Sequence, residues 1–107
     1  MSKISSDLIR GHIDTIILKL LLGGDKYGYE ISKSISSASK GEYELNEATM
    51  YSSLKRLEQS GHVKSYWGDE TMGGRRKYYK ITADGKKIYA ENKKNWDFAK
   101  QIIDKLI

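Results

Sequence analysis

The 107-residue chain contains no cysteine, no proline, one phenylalanine and two histidines. The lack of cysteine excludes a disulfide framework, a thiolate nucleophile and a thiolate zinc site. His12 and His62, fifty residues apart, make a poor metal set. No uninterrupted apolar run approaches the roughly 20 residues that cross a bilayer, and the N-terminus MSKISSDLIRGH lacks the charged-then-apolar pattern of a secretory signal. A cytoplasmic protein with no membrane association, no metal and no cofactor is expected. Apolar types make up 38% of the residues, enough for one domain with one modest core and too little for a two-domain enzyme.

What is present is positive charge, unevenly placed. Lys and Arg number 19 against 14 acids, a net +5. Residues 1–45 carry six bases and six acids, whereas residues 46–107 carry 13 bases and eight acids, so the whole excess lies after Glu44 and Leu45. A polyanionic partner would be met by that second part of the chain.

Apolar residues Leu8, Ile9, Ile13, Ile16, Ile17, Leu20 and Leu21 recur at helical spacing from Ser6 to Leu22. Leu18 and Leu22 fall outside that stripe, which predicts a helix packed on its own domain on one side and on a second subunit on the other. Gly23-Gly24 ends it. Tyr27 to Ala38 predicts a second helix with Tyr27, Ile31 and Ile35 on one face, and the polar stretch Ser36 to Glu44 is a connecting turn. Asn46 is a good N-cap for a third helix and Gly61 a good stop. Its inner face is Met50, Leu54 and Leu57, and its outer face is Ala48, Thr49, Ser52, Lys55, Arg56 and Gln59, which is short, hydroxylic and basic.

After Gly61 the period changes to two. Val63 to Gly68 and Arg75 to Ile81 predict a two-stranded hairpin, joined through the glycine-bounded Gly68-Asp69-Glu70-Thr71-Met72-Gly73-Gly74, longer than a tight turn and with a projecting tip. Arg75, Arg76 and Lys77 follow that tip, interleaved with Tyr78 and Tyr79, of which at least one must pack on the core. Thr82 caps a final helix to the C-terminus. There Tyr89, Trp96 and Ile103 repeat every seven residues, with Ala99 and Leu106 as companions and Ile88 and Ile102 beside them, a coiled-coil-like seam interrupted by Asn92 and Asn95. A small monomer has little with which to cover such a seam, so a homodimer is expected.

The fold class is therefore mainly α with a small β-hairpin: a winged helix-turn-helix over residues 1–82 and a long C-terminal dimerisation helix over 83–107, packed with the first helix as one unit. This layout suits double-stranded DNA. The expected contacts are Asn46, Thr49, Tyr51, Ser52, Ser53, Lys55 and Arg56 on the third helix, which can enter the major groove. On the hairpin they are Gly73, Gly74, Arg75, Arg76 and Lys77, which can approach the neighbouring minor groove or its phosphates. A catalytic role is not expected, because Asp69 and Glu70 alternate apart on the hairpin and no histidine accompanies them. The other reading of the same layout is a protein-interaction module whose basic hairpin docks on an acidic partner without DNA; the outer face of the third helix lacks the aromatic or aliphatic anchor that such docking uses.

The motifs YGYEI (27–31), NEATMYSSLKRLEQSG (46–61) and SYWGDETMGGRRKYYKIT (65–82) resemble, in order and spacing, the PadR family of bacterial transcriptional regulators. The resemblance covers nearly the whole chain and falls in the small subfamily with a single C-terminal helix. It implies a dimeric DNA-binding repressor whose third helix contacts the operator and whose glycine-basic hairpin is the wing. Ser52 stands where many members carry proline, a departure that leaves the fold intact and bears on the operator sequence. The chain is also similar to multidrug-responsive members that hold flat aromatic drugs between tryptophans of the C-terminal helices, and Trp96 matches that tryptophan. That similarity implies a planar aromatic ligand against Trp96, Asn92, Lys93, Ala99 and Lys100, with Leu8, Gly11, Asp14 and Thr15 of the first helix as walls. The alternative is that Trp96 only fills the dimer core.

Overall fold

From Ser6 to Leu22 the chain is helical but stepped. In this computed structural model, which describes residues 3–68 and 75–107, α1 (Ser6–Ile9) is followed by one 3-10 turn (Arg10–His12) and then by α2 (Ile13–Leu22). The sequence predicts one unbroken helix here. The step falls at Gly11, the weakest helix former in the run. Leu18, placed by its spacing outside the buried stripe, is fully buried. The reason is that α2 runs through the middle of the molecule, with α3, α4, α5 and β3 all packed on it. Its wide apolar circumference therefore serves this chain's own core along with Ile13, Ile17 and Leu21, while Leu8 and Leu22 are left exposed.

A short strand β1 (Lys26–Tyr27) precedes α3 (Gly28–Ala38), whose first turn is closed by the Glu30 carboxylate accepting the Tyr27 N–H at 3.2 Å. The helix after Asn46 is α4 (Glu47–Gln59). Asn46 Oδ1 accepts the Thr49 N–H at 3.2 Å, as its residue type predicts. At the other end Gly61 takes φ +77° while the N–H of His62 donates to the carbonyl of Leu57, a Schellman stop that requires a residue tolerant of the left-handed region.

Strands β2 (Val63–Trp67) and β3 (Lys77–Ile81) pair antiparallel with Val63 opposite Ile81 and Trp67 opposite Lys77. The sheet has three strands in the order β1-β3-β2, not the two predicted. A two-residue strand is too short to show a period. Val63, Tyr79 and Ile81 face the core, and Tyr66, Tyr78 and Tyr27 stand in a row on the opposite face, ring centres 5.7 and 5.5 Å apart.

The last helix, α5 (Ala83–Leu106), starts at Thr82. The Thr82 hydroxyl donates to the Gly61 carbonyl at 2.7 Å and accepts the Gly85 N–H at 3.0 Å, so one side chain joins the end of α4 to the start of α5. Midway along, Asn92 donates to the Thr15 hydroxyl on α2 at 3.0 Å. One turn further on Trp96 still meets His12, and past it the last turns of α5 carry the exposed Phe98, Ile103 and Leu106. The radius of gyration, 15.0 Å, exceeds the roughly 13 Å of a compact chain this long.

Candidate nucleic-acid interface and apolar groove

Packing Met50, Leu54 and Leu57 inward turns Thr49, Ser52 and Lys55 to solvent, with Asn46 exposed at the positive end of the helix dipole. Tyr51 is exposed too, its hydroxyl lying close over Gly28. Glu58 is turned away from this face and accepts the Ser65 hydroxyl at 2.5 Å. Ser53, expected among the contacts, is fully buried. It lies next to Leu54 on the inner side and donates its hydroxyl to Asp14 of α2, so it is removed from the outer surface.

Arg56 is exposed, but its guanidinium is engaged. Nε donates to Asp14 Oδ2 at 3.2 Å and Nη2 donates to Asp14 Oδ1 at 2.7 Å, a two-pronged pair across 42 residues of sequence. The hydrogen bond first, and the carboxylate charge second, raise the Arg56 pKa above its ordinary value. Lys55, one residue earlier, has no ion pair among the described residues.

At the base of the hairpin the Gly68 N–H donates to the Arg76 carbonyl at 2.8 Å, closing the ladder. The basic residues there lie on aromatic rings, Arg75 5.5 Å above Trp67, Arg76 4.6 Å above Tyr27 and Lys77 5.8 Å above Tyr79. Such stacking holds the cations at defined places. Gly73 and Gly74 lie outside the described residues.

On the far side of α2 an apolar groove of about 440 Å³ opens between the N-terminal helices and α5. Leu8, Thr15, Asn92, Lys93 and Trp96 line it, as the sequence predicts. Four expected residues are not on its wall. Asp14 points to the opposite side of α2, toward Ser53 and Arg56; Gly11 sits in the exposed 3-10 turn; Ala99 and Lys100 lie further along α5. Lys100 still reaches back, its Nζ 5.7 Å over the Trp96 ring. Trp96 and His12 meet in an edge-on arrangement, centroids 4.6 Å apart and planes at 63°. Lys93 and Lys100 both pair with Asp97, at 2.7 and 3.3 Å, and hydrogen bonding to Lys93 is the main reason the Asp97 pKa is lowered.

The model of the transcriptional regulator PadR-like family matches residues 17–91. The chain belongs to that family. A PadR regulator is thus what this winged helix is, and the match runs through α2, α3, α4, the sheet and the first part of α5. A transcriptional regulator from Clostridium thermocellum superposes with a TM-score of 0.90 at 50% identity, covering 97% of this chain and 98% of that one. A PadR family regulator from Clostridium difficile superposes with a TM-score of 0.77 at 41% identity over 89% and 97% of the two chains. An uncharacterized protein of Lysinibacillus sphaericus is 48% identical over 94% of this chain and 93% of its own length. These relatives place the PadR chain among transcriptional regulators and not among enzymes. No described helix is long and apolar enough to cross a membrane.

Sequence reasoning missed His12, Ile16 and Lys19 as groove residues of this PadR chain. The signal was available: Leu8, His12, Thr15 and Lys19 follow one another at helical spacing, so extending the wall from Leu8 and Thr15 finds them. Nothing in the sequence marks the Asp14 to Arg56 pair, which depends on how α2 crosses α4.

Proposed function

We propose that this PadR-family regulator acts as a homodimeric repressor that binds operator DNA through α4 and the hairpin and is released by a planar aromatic ligand in the groove beside Trp96. The observation that carries the DNA part is the outer face of α4. Its capped N-terminus, short Thr49 and Ser52 side chains, exposed Tyr51 and Lys55, which has no ion pair among the described residues, form a hydroxylic and basic surface, with Glu47 exposed only at its first turn, next to a hairpin base where three cations are held on aromatic rings. Residues 1–82 are the DNA-binding part, and residues 83–107, which hold α5, are the dimerisation segment. Acting on DNA, the protein works in the cytoplasm, on the nucleoid.

Selection of bound duplexes from a random-sequence library tests this reading: an enriched palindromic site supports it, and no enrichment over input overturns it. Affinity for the selected site should fall by orders of magnitude from low to physiological salt. Neutralising Arg75 and Arg76 together should flatten that dependence; an unchanged slope removes the hairpin from the interface.

The ligand part rests on the groove. Trp96 supplies a flat wall, Asn92 and Thr15 a polar edge, and the remainder is largely aliphatic. Among the described residues no carboxylate lines it, whereas His12, Lys19 and Lys93 do, so neutral or anionic aromatic compounds fit its polarity better than cationic ones. Titrating tryptophan fluorescence with planar aromatic compounds of each charge, beside a Trp96→Ala variant that keeps Trp67, checks it. Saturable quenching lost in the variant supports a site at Trp96; no binding leaves Trp96 as packing at the subunit interface.

A further inference from the structure

On an outer helical face meant for DNA, an arginine would ordinarily be a phosphate contact or a base reader. Arg56 has the position for that, yet two of its five N–H groups are committed to Asp14. The pair is not a chance surface contact, which would be worth little and would open readily. Asp14 is held from the other side by Ser53, whose hydroxyl is fully buried and donates to the same carboxylate oxygen that takes the Arg56 Nη2. Releasing Asp14 would strand a buried hydroxyl, so the carboxylate is fixed in place. Asp14 thus stands where a nucleic-acid phosphate would otherwise stand: an anion with two oxygens facing the fork of the guanidinium. The pair carries no net charge.

We infer that Asp14 is a positioning residue that acts as an internal substitute for a DNA phosphate: it cancels the charge of Arg56, so that α4 contributes Lys55 but not Arg56 to sequence-independent attraction. The free edge of the guanidinium, the two Nη1 hydrogens and one on Nη2, then faces outward in a fixed direction and is left for hydrogen bonding to base edges. Phosphate attraction is indifferent to sequence, whereas a directed donor edge is not. Asp14 therefore lowers affinity for DNA at large and raises the share of binding that depends on sequence. This inference rests on α4 being the DNA-contacting helix.

The test is the salt dependence of binding to a mixed-sequence DNA duplex, measured by fluorescence anisotropy for the full-length protein and four variants. Each phosphate contact contributes about 0.9 to the slope of log affinity against log salt. Lys55→Gln should make the slope shallower by about that amount per protomer, and Arg56→Gln should change it by well under half as much. Asp14→Asn keeps an oxygen for Ser53 but removes the charge. It should bind the mixed-sequence duplex more tightly at low salt, with a slope steeper by about 0.9 per protomer, and adding Arg56→Gln to it should restore the original slope. A merely structural Asp14 would weaken binding and leave the slope alone. The inference is overturned if Arg56→Gln costs as much slope as Lys55→Gln, or if a folded Asp14→Asn shows the original slope. Should Asp14→Asn fail to fold, the Arg56→Gln and Lys55→Gln comparison still decides. Salt-insensitive binding by the unmodified protein is a separate outcome that would instead remove the DNA-contacting role of α4.

Discussion

Two glycines differ in what an added methyl group would meet. At Gly85, in the first turn of α5, a Cβ would lie 2.1 Å from the carbonyl oxygen of His62, a backbone atom fixed between α4 and β2. At Gly28 it would lie 2.3 Å from the hydroxyl of Tyr51, the far end of an exposed side chain that can swing away. Gly85→Ala should therefore destabilise by about 1–3 kcal/mol, as over-packing does, and Gly28→Ala by less; urea unfolding of the two variants checks the order. The tyrosines set the alkaline limit. Burial, with the charges of Tyr51 and Glu58 adding to it, raises the Tyr79 pKa, burial raises that of Tyr43, and the hydrogen bond to Asp25 raises that of Tyr66. A phenol that stays protonated in the folded state contributes stability below its unfolded pKa and loses it as pH rises through the folded one. Stability should accordingly decline once pH passes about 10, the unfolded phenol value, and Tyr79→Phe should make the decline less steep in thermal melts across that range.

At the scale of elements, each functional helix begins on one side-chain oxygen. Asn46→Ala should cost about 1 kcal/mol through loss of the Thr49 N–H acceptor. Thr82→Ala should cost more than Asn46→Ala, because the same hydroxyl also satisfies the Gly61 carbonyl. Denaturant midpoints measured with an unchanged m-value would separate the two. These caps were legible in the sequence, as were the inner face of α4, the paired strands and the start and end of α5, since each is set by residue type and local period. What escaped was set by neighbours distant in sequence. Leu18 looked misplaced until four elements were packed around α2, β1 is formed by its pairing with β3, and Ser53 sits at the edge of the inner helical face, where the approach of α2 gives it Asp14 in place of solvent. The candidate interface was legible in the same measure: the exposed short side chains of α4 were foreseen, and the neutralisation of Arg56 was not.

For the whole molecule, the outer half of α5 carries apolar side chains that the chain itself leaves uncovered. Trp96, Ile103 and Leu106 continue the seven-residue seam, yet Leu106 is 77% exposed and Phe98, which the seam does not include, is 64% exposed. So much uncovered apolar surface on one helix marks an association face. Light scattering should return twice the chain mass at micromolar concentration, and Ile103→Glu with Leu106→Glu should return the chain mass while leaving the helical circular dichroism largely intact. A single-chain mass for the unmodified protein would refute the pairing. In the proposed dimer the Thr82 hydroxyl would serve as a mechanical joint between α4 and α5. From that joint α4 extends for 13 residues, a lever arm of about 20 Å. A turn of five degrees there displaces the far end of α4 by roughly 1.7 Å, more than half the length of a hydrogen bond; in the proposed dimer a change of that size would be the difference between fitting two successive grooves and missing them.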